Sequence, residues 1–140
     1  MSKQLYPRGL AHVGLTVPDL DEAIEWYTSV LGFSHVDGPD TVVAGEGHGG
    51  RQAANLLGEF ESMRFAHLAT GNQIGIELFE FESTSGTLSP DPRTPGLFHI
   101  CVIDPDVEGL AARIDDAGGD HYSDVWQIFD DDDQYTLTYC

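Results

Sequence analysis

Lysine is nearly absent from this chain of 140 residues. Lys3 stands alone, and arginines complete a basic set of 6 against 24 acidic residues, for a formal charge of −18 at pH 7. A surface so negative repels the phosphates of nucleic acid and anionic lipid, which argues against either as a partner. The acids are spread along the whole chain and not gathered in a tail. Dispersed acid with so little lysine is the composition of proteins from salt-loving organisms, where a Debye length of about 3 Å at 1 M salt screens the repulsion. Cysteine is scarce too. Cys101 and Cys140 are too few for a disulfide framework. Cys101 lies in an apolar stretch and reads as a small core or pocket residue, with no partner motif for a thiol nucleophile. Long apolar runs are also missing, since none approaches the roughly 20 residues that span a bilayer. The opening MSKQLYPRGL lacks the apolar region of a signal peptide. A soluble, cytoplasmic protein is the expectation. The length suits one domain over residues 1–140, and 41% hydrophobic content is ordinary for one.

What is present is periodic. In residues 10–17, LAHVGLTV, Ala11, Val13, Leu15 and Val17 share one face, while His12, Gly14 and Thr16 take the other. A helix should follow, capped by Asp19 with Glu22 three residues on. Its stripe is Leu20, Ala23, Ile24, Tyr27 and Leu31, and Gly32 stops it. Strands are expected near 33–37 and 40–44, a loop at 45–50 (GEGHGG) and a short helix at 51–58. MRFAHLAT at 63–70 and QIGIELFEF at 73–81 read as paired strands around a GN turn at 71–72. In the second of these, Ile74, Ile76 and Leu78 share a face, and Glu77 and Phe79 point the other way. The segment 83–95, rich in Ser, Thr and Pro, reads as a linker.

After the linker the pattern restarts. Gly9 matches Gly96, Leu10 matches Leu97, His12 matches His99, Pro18-Asp19 matches Pro105-Asp106, and Gly32 matches Gly119. A strand is expected over 97–103, with Phe98, Ile100 and Val102 opposing His99 and Cys101. A helix capped by Asp106 should follow, with the stripe Val107, Leu110, Ala111, Ile114 and Ala117. Strands at 121–129 and 134–140, joined by the acidic turn 130–133, complete the chain. An internal duplication is the simplest account, with each half needing the other to close a core.

His12 and His99 occupy equivalent points of the two halves, each on the less hydrophobic face of its strand. If the halves are related by a pseudo-twofold, both imidazoles approach one axis. Glu77 stands among apolar neighbours on the corresponding face of another strand. A buried unpaired carboxylate is costly, and a divalent cation satisfies it together with both imidazoles. Two histidines and a carboxylate suit Fe, Mn, Ni, Zn or Co.

Three segments carry a family likeness: GLAHVGLTVPDL followed by AIEWY, GIELFEF, and GLFHICV. They resemble the vicinal oxygen chelate superfamily of glyoxalase I, bleomycin-resistance proteins, metal-dependent epimerases and extradiol dioxygenases. The resemblance runs from about residue 8 to residue 140. It implies an α+β fold of two paired βαβββ modules, 8–82 and 96–140, forming one curved mixed sheet around a metal. It implies metal ligands at His12, Glu77 and His99. A glutamate at position 77 resembles glyoxalase I in particular. That enzyme isomerises a thiol–aldehyde hemithioacetal through a metal-bound enediolate, with a carboxylate moving the proton. The resembling family places a fourth ligand, a glutamate, in the last strand. This sequence stops at Cys140, where that segment would begin, so the second module is expected to lack its last strand. Glu77 is then the carboxylate to which a catalytic role passes. His67, Cys101 and Phe79 are carried as pocket residues; the face of His67 is left open by the pattern. An open sheet edge makes a homodimer the expected assembly, and a small molecule the expected partner. Two other functions stay in view: a metal-free, drug-resistance type binding protein, and an Fe(II) ring-cleaving dioxygenase.

Other signals are weaker. GEGHGG fits a dinucleotide-loop pattern, but the acidic residue that would hold a ribose is not at the right place. His35, His48 and His121 read as surface residues, and the aspartate run at 130–133 as a solvated turn.

Overall fold

The computed structural model describes residues 8–84, 92–97, 99–130 and 132–140. The chain divides into two compact units, Met1–Ser85 and Gly86–Cys140.

In the first unit the order is β1 (His12–Thr16), α1 (Leu20–Ser29), β2 (Ser34–Val43), α2 (Gly47–Leu57), β3 (Ser62–Ala69) and β4 (Gly75–Phe81). The strands lie in the order β1-β4-β3-β2. β1 runs parallel to β4 and the other pairs are antiparallel, so the sheet is mixed, as an α+β chain requires. The parallel pairing needs a crossover, and α1 supplies it.

The start of α1 is tied down twice. Asp19 Oδ1 accepts from the Glu22 amide at 2.9 Å, a side-chain N-cap. From β4, Glu80 Oε2 accepts from the Leu20 amide at 2.7 Å. The same carboxylate oxygen faces Arg64 Nη1 at 3.3 Å, and Arg64 Nη2 donates to both oxygens of Asp21 at 2.9 Å. Helix, β3 and β4 are thereby joined through one guanidinium. Gly32 adopts φ +68° just past the helix, a conformation open to glycine without steric cost.

α1 covers one face of the sheet. Leu20, Phe33, Ala66, Leu68, Ile76 and Leu78 form the buried cluster, and Val13, Leu15, Val17, Ala23, Ile24, Tyr27 and Leu31 pack against it. Here the period of two along the strands meets the 3.6-residue period of the helix. The same alternation sends His12, Gly14, His67, Glu77 and Phe79 to the opposite face.

Tyr27 stacks on Phe33 with ring centroids 5.8 Å apart. Burial of the phenol raises its pKa above the ordinary 10.0. A raised folded-state pKa contributes stability that is full below the unfolded value and is lost as pH climbs through the folded one. Unfolding is therefore expected to become easier above about pH 10, and less steeply with pH in Tyr27→Phe. Urea titrations of the two proteins at neutral and alkaline pH check this. Parallel pH dependence in both removes Tyr27 as the cause.

Several elements differ from the sequence reading. The two short strands expected at 33–37 and 40–44 are one strand, β2, with two register shifts and a cis Gly38–Pro39 peptide. Bulges carry the strand past a proline that cannot donate to a ladder. Gly38 has φ +87°, and a Cβ there would lie 2.6 Å from the Phe65 carbonyl oxygen, so only glycine fits. Four of the six residues of the expected loop at 45–50 are helical, because α2 begins at Gly47 rather than 51. Gly50 is buried, and a Cβ on it would collide with the Val43 carbonyl. The missing side chain lets the helix start close against the end of β2.

The second unit holds α3 (Val107–Asp116) and an antiparallel pair, β5 (Trp126–Phe129) and β6 (Asp132–Leu137). Asp106 caps α3, accepting from the Gly109 amide at 2.9 Å, as the duplicated frame predicts. The strand expected over 97–103 does not form among the described residues, which exclude Phe98. Leu97, Ile100, Val102 and Ile103 are exposed. Alternating apolar residues make a strand only where a neighbour supplies cross-strand pairs, and among the described residues none pairs with this segment. Cys101 is correspondingly exposed, not a core residue. The strand expected at 121–129 shortens to β5. Residues 121–123 instead bond to the chain end: the Tyr122 amide donates to the Tyr139 carbonyl at 2.8 Å, and Thr138 Oγ1 to the Ser123 carbonyl at 2.6 Å. Of the expected linker, residues 85–91 lie outside the described residues. Among the described residues, no helix is long and apolar enough to cross a membrane.

Candidate functional site

The face of the first unit's sheet turned away from α1 carries the candidate residues His12, His67 and Glu77. In the parallel ladder, His12 faces Gly75 and Gly14 faces Glu77. Each functional side chain thus has a glycine beside it. A Cβ on Gly75 would lie 3.0 Å from the His12 Cβ, and one on Gly14 would lie 3.4 Å from the Phe79 ring. Glycine at both places leaves room for the imidazole and the carboxylate to reach across the ladder. The ladder is held at both ends: the Gly75 amide donates to the Ala11 carbonyl and the Val17 amide to the Phe79 carbonyl, each at 2.8 Å.

Glu77 ends between two histidines. Its Oε2 lies 3.4 Å from His12 Nε2 and its Oε1 lies 2.8 Å from His67 Nε2. The carboxylate is the least exposed of the three side chains, at 23% against 36% for His67 and 55% for His12. Aromatic rings border it. Phe65 meets His67 edge to face at 5.4 Å and stacks with Phe79 at 6.4 Å, and Phe79 stacks in turn with Phe81 at 6.3 Å. An apolar border weakens the competition from water and strengthens electrostatic contacts inside it.

The place of His67 follows from the β3–β4 turn. A two-residue turn at 71–72 would set Thr70 opposite Gln73 and His67 opposite Ile76. The loop instead spans three residues, with Gln73 at φ +66° and the Thr70 amide donating to the Ile74 carbonyl at 2.9 Å. That extra residue shifts the register by one and sets His67 opposite Glu77. A one-residue slip changes which side chains meet across the strands, which is why the pattern left this histidine open. The αL position at the end of a three-residue hairpin loop usually carries glycine, and Gln73 hides that signal. Phe65 was missed for the same reason.

His12, Glu77 and Phe79 therefore share a face, and His67 joins them. His99 and Cys101 belong to the second unit, where the His99 ring packs edge to face on Tyr139 with centroids 5.5 Å apart. Among the described residues, no group of three or more His, Cys, Asp or Glu is arranged to hold a metal ion. The pair His12–Glu77 does fit part of such a site. Two ligands each about 2.0–2.1 Å from a tetrahedral ion lie roughly 3.4 Å apart, which is the observed Nε2–Oε2 gap. An imidazole and a carboxylate also suit divalent first-row metals. The shorter His67 contact has the length of a charge-assisted hydrogen bond. Among the described residues, surface hollows elsewhere include one lined by Val17, Pro18, Asp19 and Trp26 and another by Glu59, Phe60, Glu61 and Glu82.

Residues 9–139 match a family model described as the Glyoxalase/Bleomycin resistance protein/Dioxygenase superfamily. A glyoxylase/bleomycin resistance protein/dioxygenase domain from Frankia sp. EAN1pec is similar at 25% identity and a TM-score of 0.62, covering 95% of this chain and 90% of that one. A glyoxalase family protein from Bacillus cereus is similar at 21% identity and a TM-score of 0.64, covering 92% and 84%. The fosfomycin resistance protein FosX from Mesorhizobium loti is similar at 16% identity and a TM-score of 0.52, covering 95% and 90%. No curated protein matches. At these identities the likeness is one of fold, and it bears out the α+β, glyoxalase-like class read from the sequence.

Proposed function

Because this chain belongs to the Glyoxalase/Bleomycin resistance protein/Dioxygenase superfamily, we propose that it is a metal-dependent lyase or isomerase of glyoxalase I type. Members of the superfamily commonly use a divalent metal. The observation that supports the reading best is the His12–Glu77 pair, 3.4 Å apart on an open sheet face beside Phe65 and Phe79. His12 and Glu77 are the ligands that the first unit would offer one Ni, Zn, Co, Mn or Fe ion. When bound, that ion supplies Lewis acidity to the oxygens of a hemithioacetal. Glu77 would then take the proton from the hydroxyl-bearing carbon and return it to the neighbouring carbonyl carbon, while the hydroxyl proton passes to the former carbonyl oxygen, so that atoms and charge balance. The reaction is an isomerisation, so it needs no external oxidant or reductant. Phe65 and Phe79 receive the apolar part of the substrate and keep water from the proton in transit.

The test pairs metal analysis with turnover. Wild-type protein reconstituted with Ni or Zn is expected to convert the adduct of methylglyoxal and glutathione to a thioester. His12→Ala is expected to hold at least about tenfold less metal per chain. Equal metal content in the two proteins sinks the site. A second reading, sequestration of a flat apolar compound without catalysis, draws on the ring series Phe65, Phe79 and Phe81. It predicts ligand binding that survives both metal removal and His12→Ala. Oxygen uptake with a catechol would instead point to ring cleavage.

A further inference from the structure

We propose that His67 is a positioning residue for Glu77: it holds the carboxylate by Oε1 and so presents Oε2 toward His12 for a metal ion. The inference rests on the metal-site reading above and assigns a role to a histidine outside the proposed ligand set.

The two flanks of Glu77 are not alike. His67 Nε2 stands 2.8 Å from Oε1, while His12 Nε2 stands 3.4 Å from Oε2. An ionised carboxylate only accepts, so the short contact requires a hydrogen on His67 Nε2. The long contact has no such requirement, and a metal ligand needs its nitrogen lone pair free. The geometry therefore points to Nε2–H on His67, while metal ligation, not the contact itself, asks for an open Nε2 on His12.

His67 is itself well held. Its backbone sits opposite Glu77 in the β3–β4 ladder, on a strand paired along both edges. Phe65 stands across its ring at an interplanar angle of 87°. Glutamate has three side-chain torsions to order, and a fixed donor on one oxygen removes much of that freedom before an ion arrives. Hydrogen bonds to ligand carboxylates act in this way, and their loss typically weakens metal binding 10–100-fold, roughly.

Co(II) binding, followed by calorimetry and visible absorption, separates this role from its rivals. His67→Ala is expected to weaken Co(II) binding about 10–100-fold. His67→Gln, whose amide can donate to Oε1, is expected to recover most of that loss. In metal-free wild-type protein, nitrogen NMR is expected to find His67 with its hydrogen on Nε2. Wild type that takes up no Co(II) overturns the metal reading and this role with it. Wild type that binds while His67→Ala binds equally well, with an unchanged spectrum, overturns the positioning role alone. A loss in His67→Gln as deep as in His67→Ala overturns it too, and so does a hydrogen found on Nδ1. If His67→Ala does not fold, the glutamine variant and the tautomer carry the test.

Discussion

Glu77→Ala is expected to lower hemithioacetal turnover by roughly two to four orders of magnitude, the range for a lost general base. The substitution removes a proposed ligand as well, so metal content should fall with it. Stability should change little. The carboxylate lies on the open face, 23% exposed, and both of its histidine partners reach solvent. Neither imidazole is left buried without a partner, which is the situation that makes such deletions costly. Glu77→Gln sharpens the result. Its amide oxygen can still accept from His67, but a neutral amide is a poor ligand and a poor base. The expected order of kcat/KM is wild type far above Glu77→Gln, and Glu77→Gln at or above Glu77→Ala. Thermal unfolding measured beside the kinetics should stay within a few degrees of wild type. Wild-type kcat/KM in either variant removes Glu77 from the mechanism.

Leu78→Ala is the opposite kind of change. Leu78 follows Glu77 in the chain but points to the other face, where it is fully buried. It stands opposite Leu15 on β1 and Ala66 on β3, and clusters with Leu20 and Ile76. Truncation removes buried methyl groups and leaves a cavity among Leu20, Ala66 and Ile76. A loss of about 2–5 kcal/mol is expected. Against a total of roughly 5–15 kcal/mol for a domain, that is a large fraction. Leu78→Met keeps the volume and should cost less than about 1.5 kcal/mol. Urea denaturation reads both. A loss under about 1 kcal/mol in Leu78→Ala would mean that this cluster is not what holds the first unit together. The contrast between adjacent residues 77 and 78 is a direct consequence of strand alternation.

Much of the first unit was legible from local rules. Asp19 as cap, the stripe from Leu20 to Leu31 and the stop at Gly32 depend only on neighbours within a turn or two of helix. Each of them appears in the structure. The two faces of β1 and β4 were legible for the same reason, since alternation is a property of a single strand. In the second unit the cap at Asp106 and the helix after it were equally readable.

The misreadings share a physical cause. Segment 97–103 has the composition of a strand and forms none among its described residues, because a strand is completed by partners that its own residues do not encode. Residues 33–44 merge into one strand because bulges and Gly38 carry β2 past Pro39, against a neighbour seen only in the fold. His67 is the clearest case. Its identity and its strand were evident, but its partner depended on whether the β3–β4 loop held two residues or three. By itself, then, the sequence determined α1 and α3, the faces of single strands and the nomination of His12 and Glu77 as chemistry-bearing residues. Only the tertiary structure decided which of these side chains meet. Cross-strand register is a relation between segments, and a one-residue difference in a turn gives Glu77 a histidine to bind or leaves it facing elsewhere.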